Sequence, residues 1–298
     1  MEQMEQIENG ERYEKIGPTA WGVAYFRSLS DIKYAKEIFQ ELDKAIGQSD
    51  ATQLDYIERA KKRVKLAPQF EARYKLVDRL IAENETGQVL EIAAGLSPRG
   101  LTMTEQNPSW QYVEMDLPPI ARRKKEILEK LYADDKAKPQ SNLYIESRDA
   151  LSESSLFAAA RHFGDRPISI VNEGLLRYLN FDQKAAVARN VHALLEKFDG
   201  EWITSDITLK KILAYEQERA QGRSIVLALS GIDVEANAFE DEDAAHKFFE
   251  GLGFSIERRG FLEVSDQLTT PEKLGLSSKQ VEEMLKQAVV FVMRALVG

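Results

Sequence analysis

Hydrophobic positions recur at helical spacing through the first part of the chain. After Ser30, a residue suited to an N-cap, Ile32, Ala35, Ile38, Phe39, Leu42 and Ile46 repeat until Gly47, which predicts one amphipathic helix. A second helix is expected from Thr52 to Leu66, ended by Pro68, and a third from Gln69 to Asn84, with Phe70, Val77, Leu80 and Ile81 on one face. From Gln88 the texture changes to short apolar runs, "QVLEIAA", "WQYVEMD", "NLYIES", "PISIVNE" and "EWITSDI". Amphipathic stretches near 99–106, 118–132, 150–163 and 181–198 separate them. Strands alternating with helices predict an α/β fold with a mostly parallel sheet, and runs as continuous as "ISIV" suit strands covered on both faces.

After Asp206 the pattern lapses into the charged stretch "LKKILAYEQERAQGRSIVLAL" and the acidic helix "EDEDAAHKFFEGLG". Residues 208–238 are expected to be an insertion. The strand-like "GFSIERRGFLEV" and "AVVFVMRAL", joined by a helix around "SSKQVEEMLKQ", are expected to form an antiparallel edge. The domain plan is therefore a helical cap over 1–85 and a core over 86–298. Phe248, Phe249 and Phe254 form a patch open to two readings, core or interface, with core the default.

Charge and composition narrow the function. With 49 acidic against 40 basic residues and a net charge of −9, a grip on nucleic acid or on an anionic membrane surface is not expected. Cysteine is absent, so disulfides and thiolate chemistry are too. The polar, acidic start "MEQMEQIENGERYEKI" does not resemble a leader, and no apolar run approaches the roughly 20 residues of a membrane span, so a cytoplasmic protein is expected.

The loop "AAGLSPRG" follows the first strand, the position that touches ligands in open α/β sheets. Ala93, Ala94 and Gly95 leave room for close approach, and Pro98 fits a helix start. Set against G-x-G-x-x-G, only Gly95 matches, so a dinucleotide site has little support, and no Walker lysine is present. Asp116 ends the second strand, 21 positions after Gly95, where a carboxylate either accepts both hydroxyls of a ribose or caps the next helix.

Taken together, "VLEIAAGLSPRGL", "YVEMDLPPIARRKKEIL", "NEGLLRYL" and "ITSDI", in that order, resemble the leucine carboxyl methyltransferase family, including its bacterial polyketide-type O-methyltransferase branch. The resemblance covers most of the chain. The family loop commonly reads Gly-Ala-Gly-Leu-Asp-x-Arg; here Ala93 and Ser97 depart from it, while Gly95, Leu96 and Arg99 are retained. It implies a class I methyltransferase fold, with a mostly parallel seven-stranded sheet between helices, and S-adenosylmethionine as cofactor. It places Glu91, Ala93 and Gly95 at the cofactor, with Gly95 facing the methionine part, and Asp116 at the ribose. Arg73 would bind the cofactor carboxylate, unless it is a solvated helix residue. Asp149 would accept from the adenine amino group, unless it caps a helix, with Ala150 and Leu151 beside the ring. Glu173 would line the cofactor pocket, unless it caps the next helix; Tyr178 and Leu179 begin packing.

Methyl transfer is an in-line displacement in which alignment does much of the work, so a dedicated base is optional. His162, His192 and His246 lie away from the predicted strand ends and are assigned to helix faces or the surface. The segment "PTAWGVAYFRSLSD" is rich in aromatics. In the resembling family this region covers the acceptor, which makes Tyr25 and Arg27 substrate candidates; the competing role for these side chains is docking into the core. Three functions compete: an S-adenosylmethionine-dependent O-methyltransferase acting on a carboxylate or hydroxyl of a small molecule, the same chemistry on a protein C-terminal carboxyl, and a non-catalytic binding protein that keeps the fold. A nicotinamide-dependent oxidoreductase is a distant fourth. Oligomeric state is not readable.

Overall fold

The apolar runs from Gln88 onward become the sheet because alternate residues of the central strands find a helical layer on opposite faces. A computed structural model describes residues 19–46, 51–219 and 234–296. It begins with helices α1 (Thr19–Ser28), α2 (Ala35–Ile46), α3 (Ala51–Lys62) and α4 (Ala67–Asn84). Strand β1 (Gln88–Ile92), helix α5 (Arg99–Gln106), β2 (Gln111–Asp116), α6 (Pro118–Ala133), β3 (Leu143–Ser147), α7 (Glu153–Ala159), β4 (Ile168–Asn172), α8 (Phe181–Phe198) and β5 (Gly200–Thr204) follow. Among the described residues the sheet has seven strands in the order β3-β2-β1-β4-β5-β7-β6, the last two being β6 (Phe254–Gly260) and β7 (Val289–Ala295). The first five are parallel, whereas β7 runs antiparallel to both β5 and β6, which is the edge the sequence led us to expect.

Every residue of β1 and β4 is buried. Leu90, Ile92, Ile170 and Trp202 pack against Val187, Val191 and Leu194 of α8. Their neighbours Val89, Val171 and Ile203 pack on the other face against Leu76, Val77, Leu80 and Ile81 of α4. Burial of each such aliphatic side chain is worth about 1.5–3 kcal/mol, so the two layers fix both the register and the placement of the strand ends. Phe249 and Phe254 are fully buried and Phe248 packs against them, a core role for all three. Tyr178 and Leu179 are buried as well.

Several helix ends differ from expectation. Ser30 does not start the next helix: its hydroxyl donates to Arg27 O at 2.6 Å and closes α1, while Tyr34, at φ 64°, turns the chain into α2. Pro68 does not stop a helix. The second helix ends at Lys62, a 3-10 turn spans Val64–Leu66, and Pro68 lies in the first turn of α4, where no N–H is missed. The 150–163 stretch is helical only from Glu153, because Ser152 is its N-cap. Of the expected insertion, residues 220–233 lie outside the described residues, as does the acidic start 1–18. The described flanks of the insertion meet at a bridge between Leu209 and Phe239. Among the described residues no helix is long and apolar enough to cross a membrane.

Candidate active site

The strand order reverses between β1 and β4, and the crevice beyond their carboxyl ends is where an open α/β sheet binds ligands. The loop after β1 turns sharply there. Ala93 (φ 53°) and Gly95 (φ 57°) both adopt the left-handed conformation, and Ala94 N donates to Met115 O at 3.2 Å. Asp116 closes the turn: one carboxylate oxygen accepts Gly95 N at 2.7 Å and the other accepts Leu117 N at 2.7 Å. Burial pushes the Asp116 carboxyl up to about 6, against the opposing pull of these two amides. Neither bond is a helix cap of the usual kind, since α6 has no side-chain cap.

The first carboxylate of the "EMD" strand end has a separate task. Glu114 is buried and pairs with Lys124 of α6, which also donates to Ser97 O at 2.5 Å. Gly100 makes this possible, because a Cβ there would collide with Glu114 and come to 2.8 Å of Leu143 Cδ1.

Glu173 leaves the end of β4 and meets three guanidinium groups. Arg27 Nη2 of α1 lies 3.0 Å and Arg73 Nε of α4 lies 2.6 Å from one oxygen; Arg99 Nη2 of α5 lies 2.5 Å from the other. Burial works to raise the Glu173 carboxyl, but the charges of Arg99, Arg27 and Arg73 overcome it and hold the group far below the usual carboxylate range. Glu173 therefore caps no helix, and Arg73 is an ion-pair partner rather than a solvated residue.

Arg99, fully buried, also donates to Asp78 at 2.5 Å and to Glu91 at 2.6 Å. The other oxygen of Glu91 accepts from Tyr112 at 2.8 Å, so Glu91 lies beneath the loop with both oxygens engaged by protein. The Tyr74 ring lies under both Arg27 and Arg99, at 5.0 and 4.4 Å. Sequence reasoning gave no role to Arg99, Asp78 or Tyr74, although Arg99 stood in the quoted loop.

Asp206, after β5, holds the turn that carries Glu173. Its carboxylate accepts Asn172 Nδ2, Gly174 N, Leu175 N and Leu176 N at 2.7, 2.6, 2.6 and 3.1 Å. Asp149 accepts Leu151 N at 2.9 Å in a turn of its own, and the cap of the next helix is Ser152. The neighbouring Arg148 N donates to Asp116 O at 2.9 Å, which ties this turn to the loop site.

Arg27 thus joins Arg73 and Glu173, but Tyr25 does not, since its ring packs on Phe26 and Phe39. Trp21 and Phe26 are buried in helical packing, the core role weighed for this segment. The histidines stay outside: His162 bonds Glu146 at 2.8 Å and stacks on Tyr144, while His192 lies 3.2 Å from Gly253 O. Arg27 Nε, Arg177 Nε and Ser205 Oγ are buried with no hydrogen-bond partner among the described residues. Chemically, the arrangement offers two fixed carboxylates, Asp116 and Glu173, and several guanidinium donors at the mouth of a small-residue loop.

Solved structures that match this chain include a protein of Nostoc punctiforme PCC 73102 described as a candidate O-methyltransferase, 15% identical, covering 75% of this chain and 55% of its own, TM-score 0.46. The chain thus spans about half the length of that protein. Magnesium protoporphyrin IX methyltransferase of Synechocystis PCC 6803, solved with bound SAH, is 10% identical over 84% of this chain and 89% of its own, TM-score 0.46. An O-methyltransferase family protein of Burkholderia thailandensis is 12% identical over 89% and 72%, TM-score 0.47. No curated protein matches the sequence. The leucine carboxyl methyltransferase family matches residues 25–192, more than half of the 298 residues, from α1 through the Glu173 turn into α8. On that match the chain belongs to the leucine carboxyl methyltransferase family, and with it to the methyltransferases that use S-adenosylmethionine.

Proposed function

We propose that this chain is an O-methyltransferase that moves the methyl group of S-adenosylmethionine to a carboxylate or hydroxyl oxygen of a small-molecule acceptor. The observation that carries the reading is the pairing of Asp116 with the Gly95 loop beside the Glu173 arginine cluster, at the switch point of the sheet.

The residues present suit such a cofactor. A Cβ at Gly95 would find only Ala20 Cβ, at 3.8 Å, so the backbone there is open to close approach. Each Asp116 oxygen accepts one amide and keeps a second lone pair for a ribose hydroxyl. The unpartnered Arg27 Nε and Arg177 Nε call for an anionic group, which the methionine carboxylate supplies next to Arg73. Asp149, with Ala150 and Leu151, serves the adenine end. Ala93 keeps the left-handed turn of a glycine, which supports a working loop over a decayed one.

Bound cofactor supplies a methyl carbon made electrophilic by sulfonium. The chain's part is alignment and charge. Glu173, ionised throughout the working range, holds Arg27 and Arg73 in place, and helices α1 and α2 act as a lid that excludes water and brings Arg27 to the acceptor side. Glu91 acts only through Arg99. A carboxylate acceptor needs no base, being already ionised near neutrality.

Calorimetric titration with S-adenosylhomocysteine, on the wild type and on Asp116→Ala, tests the reading. Micromolar binding that the variant loses is expected; a folded wild type that binds nothing sinks it. The second reading, methylation of a protein C-terminal carboxyl, is favoured by the family match. Release of S-adenosylhomocysteine with peptides but not with small carboxylic acids or phenols would select it.

A further inference from the structure

Arg99 stands apart from the residues assigned to cofactor or acceptor. It is fully buried, and each of its three donor nitrogens is taken by a carboxylate on a different element: Nε by Asp78 of α4 (2.5 Å), Nη1 by Glu91 of β1 (2.6 Å) and Nη2 by Glu173 after β4 (2.5 Å). Its guanidinium lies 4.4 Å from the centre of the Tyr74 ring, which fixes the plane of the fork. Its backbone N donates to Ser97 Oγ at 3.3 Å, so the same residue ends the small-residue loop.

We propose that Arg99 is a positioning residue for methyl transfer: it joins the Gly95 loop to Glu173 as one rigid unit and aims the Glu173 carboxylate into the site without itself touching cofactor or acceptor. The proposal rests on the cofactor reading above. Glu173 has two oxygens with different duties. The one held by Arg99 is the anchor, whereas the one shared by Arg27 and Arg73 faces the two arginines that the cofactor and lid engage. A lysine at position 99 could not serve three carboxylates in one plane, so charge alone does not replace it.

The groups that face Glu173 are Arg27 from α1, Arg73 and Asp78 from α4, Glu91 from β1 and Arg99 from α5, with Arg177 and Asp206 at the turn behind it. Among the positive charges on Glu173, Arg99 has the largest effect, opposing the burial that would protonate it. Loosening Arg99 thus raises the Glu173 carboxyl toward the ordinary carboxylate range, which a purely structural filler would not do.

The test is calorimetric titration with S-adenosylhomocysteine from about pH 4 to about pH 8, on the wild type, Arg99→Lys and Arg99→Lys/Glu173→Gln, with circular dichroism confirming each fold. For Arg99→Lys we expect roughly tenfold weaker binding at neutral pH and an added pH step that the wild type lacks and the double variant loses. A folded Arg99→Lys whose affinity and pH profile track the wild type overturns the proposal. If Arg99→Lys does not fold, Asp78→Asn releases one arm of Arg99; several-fold weaker binding with unchanged circular dichroism supports the role, and unchanged affinity overturns it. Failure of the wild type to bind at any pH is a different result, and it removes the cofactor reading itself.

Discussion

Arg27 and Glu173, 146 residues apart in sequence, form a buried ion pair of 3.0 Å that fastens the N-terminal helix to the end of β4. The pair is the polar contact by which α1 meets the site, whereas Trp21 and Ala24 on the same helix are held by Leu96 and Leu101. Arg27→Ala leaves Glu173 with Arg73 and Arg99, so no carboxylate is stranded, and the expected loss of stability is about 1–3 kcal/mol. Urea unfolding followed by tryptophan fluorescence measures it. Binding of S-adenosylhomocysteine should weaken by about tenfold in the same variant, and an unchanged affinity would limit Arg27 to a structural role.

The raised carboxyl of Asp116 gives the site a pH dependence whose sign is fixed by which form binds. Ribose hydroxyls donate to the ionised carboxylate, and below about 6 the buried group takes up a proton. Affinity for S-adenosylhomocysteine should therefore be flat above that pH and fall about tenfold per unit below it. Asp116→Asn removes the step along with most of the affinity. A wild-type profile flat down to about pH 4.5 would show that Asp116 does not meet the ligand as a carboxylate.

How far the sequence spoke depended on whether a signal was local. The central strands β1 and β4 were legible because burial on both faces writes a continuous apolar run, whereas the bond from Gly95 N to Asp116 was not, since the spacing suggested a ribose contact or a helix cap and neither is an amide of the loop. Pro68 and Ser30 misled because each residue has two uses: proline opens a helix as readily as it follows one, and a serine hydroxyl can close the helix behind it. Arg99 was invisible as a hub, since its partners lie 21, 8 and 74 residues away on three elements and no periodicity announces them. Asp149 could not be told from a cap until Ser152 was seen to fill that place.

Gly100 and Gly95 separate two reasons for glycine. A Cβ at Gly100 would collide with Glu114 and crowd Leu143, forcing apart the buried pair of Glu114 and Lys124. Gly100→Ala should cost about 2–4 kcal/mol by denaturant unfolding. At Gly95 the neighbourhood is open and only φ 57° resists a side chain, so Gly95→Ala should cost about 1 kcal/mol of stability. It should nonetheless abolish S-adenosylhomocysteine binding, by filling the space the ligand needs. Equal stability losses in the two variants would refute this division.

Glu71 predicts the acid limit of the fold. Fully buried on α4, it accepts the amide and hydroxyl of Thr269 and of Thr270 at 2.6–3.0 Å, and pairs with Lys75 at 2.9 Å. Burial works to raise its carboxyl, but these donors and Lys75 prevail and hold it below the usual value. A carboxyl lowered on folding stabilises the native state above its unfolded pKa, about 4.3, and the contribution fades as pH falls through the folded value. Glu71→Gln should thus destabilise by about 2–3 kcal/mol near neutrality, since an amide leaves donors facing donors. Its unfolding midpoint should converge on that of the wild type as pH drops below about 4. A gap between the two that stays constant across that range would assign the loss to packing rather than to charge.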